Sequence, residues 1–278
     1  MWTVATLADG LARLGLTAGD TVLVRASLRR LGDVAGHRAT ALIKATLAVV
    51  GSRGTLAALA FNPLTPFPAW RNSPVIGPDT PPGSGGLAAA MVRWPGAVRS
   101  QHPTCSWVAI GANAGALTAG HDASSASFHP VGALLEADGV LVNVGNVIDS
   151  PGFSTVHWVQ SRRGLSTRNL LAGRIGARFP GGVFHSHDFP GCSQGFDKFY
   201  GAYVQAGALR AGMVGDAYAI LGRARELVAV EDRLVSANPR FPLCDAPDCM
   251  HCRGLVTYNK RDWPAFWSRW AWRKLTGR

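Results

Sequence analysis

The stretch Asn143-Val144-Gly145-Asn146-Val147-Ile148-Asp149-Ser150-Pro151-Gly152-Phe153-Ser154-Thr155-Val156-His157-Trp158-Val159-Gln160-Ser161-Arg162-Arg163-Gly164-Leu165 decides how the chain folds. It continues an apolar run, Gly139 to Val142, that reads as a buried strand. The turn formers Asn146, Asp149, Ser150, Pro151 and Gly152 then interrupt the chain. Ser154 is placed to cap a helix whose first turn holds Thr155 and His157, with Gln160 one turn further on. His157 therefore belongs near a helix N-terminus at the carboxyl end of a strand, where open α/β sheets hold their ligands. A helix N-terminus lowers an imidazole's pKa, which keeps the ring neutral and able to accept a proton. Taken alone, such a histidine reads as a satisfied turn residue, so its surroundings have to decide.

Outward from this stretch the chain alternates strand and helix. Residues 6–15 carry Leu7, Leu11 and Leu14 on one helical stripe. A strand, Thr21 to Val24, delivers Arg25-Ala26-Ser27-Leu28 at its end. A helix from about Arg38 to Val50 and a second strand, Thr55 to Phe61, complete a β-α-β unit with a parallel strand pair. Residues 62–86 form a proline-rich loop, a length that usually serves function. Beyond it the pattern predicts a helix over Leu87–Trp94, a strand over Trp107–Ile110, and helices over Ala112–Ala119 and Val131–Ala137, the last with Pro130 in its first turn. An irregular section spans 173–195. A helix near Phe196–Ala206, one strand over Met213–Leu221, a helix over Ala224–Ser236 and a tryptophan-rich helix over 262–275 complete the chain. No internal repeat or linker divides it. The expectation is a single α/β domain over 1–278, with a smaller cysteine-bearing lobe drawn from about 173–195 and 240–255.

Composition narrows the class. Hydrophobic residues make up 47% of the 278, ample for a core. No window of 18 apolar residues exists, and no basic segment followed by an apolar one opens the chain, so no membrane partner and a cytoplasmic location are expected. Lys and Arg number 28 against 17 Asp and Glu, a net charge of +11. Such a balance attracts polyanions. The cations are scattered arginines without a nucleic-acid-binding motif, so no nucleic-acid partner is expected.

In order and spacing the pieces resemble the aminoglycoside 3-N-acetyltransferase family, antibiotic acetyltransferases of non-GNAT fold. The carriers run from about Leu7 to Cys252: Leu14-Gly15-Leu16 with Gly19-Asp20, Arg25-Ala26-Ser27-Leu28 with Gly32, and Val50-Gly51 with Gly54-Thr55-Leu56. They continue with Trp94-Pro95-Gly96-Ala97-Val98-Arg99-Ser100 and His102-Pro103, then His121, and last the Thr155–His157 turn. The resemblance implies a mixed central sheet flanked by helices, and acetyl-CoA-dependent acetylation of an amine on an aminoglycoside or related amino sugar. It also implies that His157 acts as general base, because an ammonium cannot attack a thioester until it loses a proton. Ser154 or Thr155 would then face the oxyanion. The turn Arg25, Ala26, Ser27, Leu28 and the region holding Arg99, His102 and Ser106 match the family's surroundings of CoA, with Arg25 and Arg99 suited to phosphate.

Departures from the family pattern matter. Arg25 stands where most members have His, Gln160 where they have Glu, and Gly85-Gly86 and Ala90 where they have Met-Gly and a Glu. Gln160 can orient the imidazole but carries no charge to stabilise an imidazolium. Asp149 is the nearby acid that would take over. A strongly basic chain that has lost two acids is also a poor match for a polycationic antibiotic. Asp79, Asp122, Asp149 or Asp188 would have to supply a local acidic cleft; otherwise the acceptor is a less cationic natural-product amine. A CoA-binding relative with weakened catalysis is the alternative from another class.

Five cysteines, an odd number clustered late, suit metal or free thiols better than disulfides. Cys244, Cys249 and Cys252 lie within nine residues, and Cys192 or His251 completes a set of four for a structural zinc; reduced structural cysteines are the other reading. Cys105 reads as a small buried residue. His185, His187 and Asp188 read as a solvated loop. Trp263, Trp267, Trp270 and Trp272 are spaced to pack a helix on the body or on a second copy in a homodimer.

Overall fold

The computed structural model describes residues 1–276 except 64 and 67–71, and for 65 and 66 the backbone alone. Ten strands and nine α-helices are described. The helices are α1 (Val4–Leu14), α2 (Arg38–Val50), α3 (Gly86–Met91), α4 (Ala114–Thr118), α5 (Pro130–Glu136), α6 (Thr155–Arg162), α7 (Tyr200–Gln205), α8 (Ala224–Ala237) and α9 (Trp263–Thr276). The strands are β1 (Thr21–Ala26), β2 (Thr55–Leu59), β3 (Thr65–Pro66), β4 (Val98–Arg99), β5 (Trp107–Gly111), β6 (Val140–Val144), β7 (Ile175–Phe179), β8 (Gly182–His185), β9 (Arg210–Val214) and β10 (Ala217–Arg223).

Seven strands form one sheet in the order β4-β5-β2-β1-β6-β10-β9. β1 pairs parallel with both β2 and β6, and the remaining pairs are antiparallel. The sheet is mixed and flanked by helices, as the sequence led us to expect. Side chains alternate across it. Val22, Val24, Val140, Val142 and Leu221 pack on one face with α1, α2 and α3, while Leu23, Leu141 and Ile220 pack on the other with α5, α6 and α8. Coverage on both faces is why the central strands read as nearly continuous apolar runs.

Several local expectations change. The helix expected from residue 6 begins at Val4, because Thr3 and Thr6 form a capping box. The single strand expected over Met213–Leu221 is the hairpin β9–β10, whose turn Gly215 takes φ +61. Only a glycine fits there, since a Cβ would lie 2.6 Å from the Leu31 carbonyl oxygen. The irregular 173–195 section contains the hairpin β7–β8, which joins β3 in a small sheet of order β3-β7-β8. The long loop 62–86 therefore lends one strand to that sheet; its residues 64 and 67–71 lie outside the described ones. Tryptophan spacing predicts a packed terminal helix, yet of α9 only Phe266 is buried. No described helix is long and apolar enough to cross a membrane.

Candidate active site

β6 ends at Val144, and the following turn is tied down before α6 starts. Arg25, at the end of the neighbouring β1, donates from Nη1 to the Gly152 carbonyl at 3.1 Å and from Nη2 to the carbonyl and hydroxyl of Ser150. Asn143 Nδ2 donates to the same Gly152 carbonyl at 2.7 Å. Tyr200 accepts from Gly152 N–H and donates to the Val147 carbonyl, both at 2.8 Å. Gly152 has φ +70, and a Cβ there would lie 2.3 Å from Phe196 Cβ. Burial lowers the Arg25 pKa to about 10, against a raising effect of Tyr200. Arg25 thus clamps the turn, a structural role beside the phosphate contact expected of it.

This turn delivers His157, which is 7% exposed. Its Nδ1 lies 3.0 Å from Gln160 Oε1. An amide oxygen only accepts, so Nδ1 carries the hydrogen and Nε2 keeps its lone pair. Phe128 and Phe196 flank the ring, each with its centroid at 4.7 Å. The pKa falls to about 4, first because burial disfavours the cation; Gln160 raises it, Arg25 lowers it and Asp188 raises it. A neutral imidazole was expected, but burial rather than the helix end is its main cause. Ser154 also makes no side-chain cap.

The other catalytic candidates sit as follows. Gln160 is buried and orients the ring. Thr155 Oγ1 donates to Glu231 Oε1 at 2.6 Å, and Tyr203 Oη donates to the same oxygen at 2.6 Å. The Thr155 hydroxyl is therefore directed into the core, not toward an oxyanion. Asp149 is exposed and paired with Arg30 at 2.7 Å, while Gln160 holds Nδ1, so Asp149 does not orient the imidazole. One acid not singled out from sequence, Glu231, is buried here, and a second, Asp188, is not solvated as expected. Glu231 is fully buried, and burial lifts its pKa to about 8 against the lowering effect of the two hydroxyls. Its signal is its place on the inward stripe of α8 with Leu227 and Val235. Asp188, expected on a solvated loop, is buried: Ser127 donates to Oδ1 from N–H at 3.0 Å and from Oγ at 2.6 Å, and Oδ2 has no partner among the described residues.

Arg99 uses all five guanidinium hydrogens internally. It reaches Ser106 Oγ at 3.3 Å, the Pro78 carbonyl at 3.1 Å, the Thr80 carbonyl, the Ala60 carbonyl at 3.1 Å and Asn62 Oδ1 at 2.8 Å. It ties Ala60 and Asn62 to Pro78 and Thr80 and has no donor left for a phosphate. Ser106 donates to the Ala60 carbonyl. His102 is buried, its Nδ1 accepting from the N–H groups of Thr104 at 3.2 Å and Cys105 at 3.0 Å. Cys105 is itself buried, as expected. At the other end of the expected CoA region, Arg25 and Ala26 line a cavity of about 270 Å³ with Phe61, Ser84, Leu87 and Asn146. Leu28 lines a cavity of about 500 Å³ whose wall carries Arg29, His37, Arg38 and Arg93. Ser27 lies on the turn between, its N–H donating to the Val144 carbonyl at 2.8 Å. Arg29, Arg38 and Arg93 are among the arginines the sequence left as scattered surface cations.

Away from this region, Cys192, Cys244, Cys249 and Cys252 bring their sulfurs within 4.8 Å of one another. His251 instead stacks on Phe189 at 5.4 Å.

Burial sets a pH dependence. His102, His121 and His157 are held neutral with pKa values of about 3, 2 and 4, against 6.5 when unfolded. Their contribution to stability is complete above pH 6.5 and is lost as pH falls below it. Glu231 opposes them between its unfolded 4.5 and its folded value of about 8. Near pH 5 the unfolded chain therefore binds about two more protons than the native one, a loss of about 3 kcal/mol per pH unit on acidification. Urea unfolding should be nearly independent of pH around pH 7, where the histidines and Glu231 offset each other, and should steepen to about that slope between pH 6 and 5; a profile that stays flat to pH 5 would mean the imidazoles are already charged in the native state.

Comparison with known proteins identifies the family and the fold. The aminoglycoside 3-N-acetyltransferase family profile matches residues 23–236. The chain is 32% identical over 264 residues to aminoglycoside N(3)-acetyltransferase VII of Streptomyces paromomycinus, covering 81% of this chain and 88% of that enzyme. It is 33% identical over 165 residues to aminoglycoside N(3)-acetyltransferase IX of Micromonospora chalcea, covering 53% of this chain and, at 58%, less than two thirds of that enzyme's length. The solved AAC-IIIb binary complex with CoASH is 25% identical and superposes with a TM-score of 0.68, covering 84% of this chain and 96% of that one. The chain belongs to the aminoglycoside 3-N-acetyltransferase family.

Proposed function

We propose that this chain transfers the acetyl group of acetyl-CoA to an amine of an aminoglycoside or related amino sugar, with His157 as general base. The observation that carries the reading is the fixed tautomer of His157: Gln160 takes Nδ1–H and leaves the Nε2 lone pair on a neutral ring. In the reaction Nε2 removes a proton from the substrate ammonium. The freed amine then attacks the thioester carbonyl and the C–N bond forms; as the C–S bond breaks, the nitrogen gives up its second proton, the departing sulfur takes one up to give CoASH, and His157 returns the first to solvent. Gln160 carries no charge to steady the imidazolium, and Asp188 supplies the opposing field.

CoA is bound in a neighbouring family structure. In this chain its phosphates suit the cavity walled by Arg29, His37, Arg38 and Arg93. That cavity lies at the N-terminus of α2, whose first turn holds no acid. From there the pantetheine arm would run past Ala26-Ser27-Leu28 into the smaller cavity beside Arg25. Acetyl-CoA as substrate and reduced cysteines both suit the cytoplasm. The substitution of Gln160 for an acid favours a second reading, a relative that binds CoA but turns over slowly.

The cysteines add a structural metal to this proposal. A tetrahedral zinc with Zn–S bonds of about 2.3 Å sets its sulfurs about 3.8 Å apart, within the spread of Cys192, Cys244, Cys249 and Cys252. Four thiolates fill the shell, so the ion would join Cys192 to the 244–252 segment and take no part in catalysis.

Thiol release from acetyl-CoA, screened over aminoglycosides and amino sugars, should fall about a hundredfold to ten-thousandfold in His157→Ala with the fold kept. Arg29→Ala combined with Arg38→Ala should raise KM for acetyl-CoA about tenfold and leave kcat nearly unchanged. Release that ignores His157→Ala removes the catalytic proposal, whereas CoA binding with no turnover of any amine selects the second reading. Separately, the purified chain should carry one zinc by elemental analysis, and Cys249→Ser should lose the metal and lower Tm. A metal-free sample with unchanged Tm in that variant would assign the cysteines to packing.

A further inference from the structure

We propose that Glu231 is a positioning residue that aims His157, an inference that rests on His157 being the general base. Its Oε1 takes two hydroxyl hydrogens, from Thr155 at the start of α6 and from Tyr203 of α7, both at 2.6 Å. Glu231, Thr155 and Tyr203 are each wholly buried. One acceptor on α8 therefore joins three helices, and each of its two bonds leads to the imidazole. Along the backbone, Thr155 stands two residues before His157 in the first turn of α6. Through the aromatic wall, Tyr203 stacks on Phe199 with centroids 6.0 Å apart, Phe199 meets Phe196 edge-on at 6.3 Å, and Phe196 meets the His157 ring at 4.7 Å.

Packing alone gives no reason for an acid here. Glu231 lies on the inward stripe of α8 between Leu227 and Val235, against a core cluster that includes Phe153, Val156 and Val159. A leucine would fill that place without burying a carboxyl, and Oε2 finds no partner among the described residues. The helix α6 explains what the acid secures. It has only eight residues, makes no side-chain cap, and lies between Gly152 at φ +70 and Gly164 at φ +66. So short a helix takes its placement from tertiary contacts. Arg25, Asn143 and Tyr200 fix the turn ahead of it, and Glu231 fixes its first residue. A misplacement of about 1 Å costs on the order of a hundredfold in rate. Burial raises the carboxyl pKa to about 8, so near pH 7 Glu231 acts chiefly as a neutral acceptor, a role that a glutamine amide oxygen can fill.

The test is steady-state thiol release from acetyl-CoA with the amine that the screen above selects. Glu231→Leu should lower kcat about tenfold to a hundredfold, leave KM for acetyl-CoA within about twofold, and keep or raise Tm. Glu231→Gln should recover most of that kcat. Thr155→Val, which keeps the shape and loses the hydroxyl, should lower kcat about tenfold, and Thr155→Ser should recover it. The double variant Glu231→Leu/Thr155→Val should lose no more than Glu231→Leu alone, because both remove the same bond. Full kcat in folded Glu231→Leu and Thr155→Val, a loss that Glu231→Gln and Thr155→Ser do not repair, or a change confined to KM would overturn the inference. Should Glu231→Leu not fold, the Thr155 pair decides alone. His157→Ala separates the two proposals. Loss there with full activity in Thr155→Val sinks the anchor alone, whereas activity that survives His157→Ala, or no turnover of any amine, removes base and anchor together.

Discussion

Arg25 ends the central strand with its guanidinium enclosed by protein, and an enclosed cation must be met by acceptors. The acceptors come from 125 and 127 residues further along, at Ser150 and Gly152. That union fixes the turn between β6 and α6, and with it the position of His157. The same charge lowers the affinity of His157 for a proton. One side chain thus helps set where His157 stands and adds to the effect of burial that keeps its ring neutral. Asn143 and Tyr200 strengthen the arrangement by bonding to the same turn.

The electrostatic consequence is a site that holds its imidazole neutral by enclosure and offers little locally to welcome the cation. An acid one turn along α6 would offset that cost at contact range; Gln160 offers only orientation. Asp188, on a segment distant in sequence, raises the proton affinity of His157, but less than burial and Arg25 lower it. Its second oxygen is buried and lacks a partner among the described residues. The two arginines named from sequence stay inside the frame, while those beside α2 line an open cavity. Fixing the frame and lining the cavity are thereby divided between different arginines.

The fold was legible where local pattern and burial agree. Apolar runs covered on both faces gave β1, β2 and β6, and the stripe of α1 gave its inward side. The hairpin β9–β10 was hidden because Gly215-Asp216 interrupts a sequence that is apolar on either side, and the turn was read through as strand. Within the site, His157 and Gln160 were legible because three residues of helix bring two side chains together. The roles of Arg25 and Arg99 were not, since most of their acceptors are backbone carbonyl oxygens, which every residue has. Glu231 was legible in principle as an acid on an inward stripe. The exposure of α9 was not, because tryptophans at helical spacing look the same whether a protein, a lipid or water lies against them.

The four gathered sulfurs have a consequence for how the chain reaches its native form. Cys192 comes before α7, β9, β10 and α8, and its three companions come after them. Bringing the sulfurs together closes a long loop around the last hairpin of the sheet, a costly step unless the enclosed elements are already assembled. The cluster therefore ties the segment before α7 to the one after α8, so that the edge hairpin β9–β10 is enclosed by a cross-link at its base.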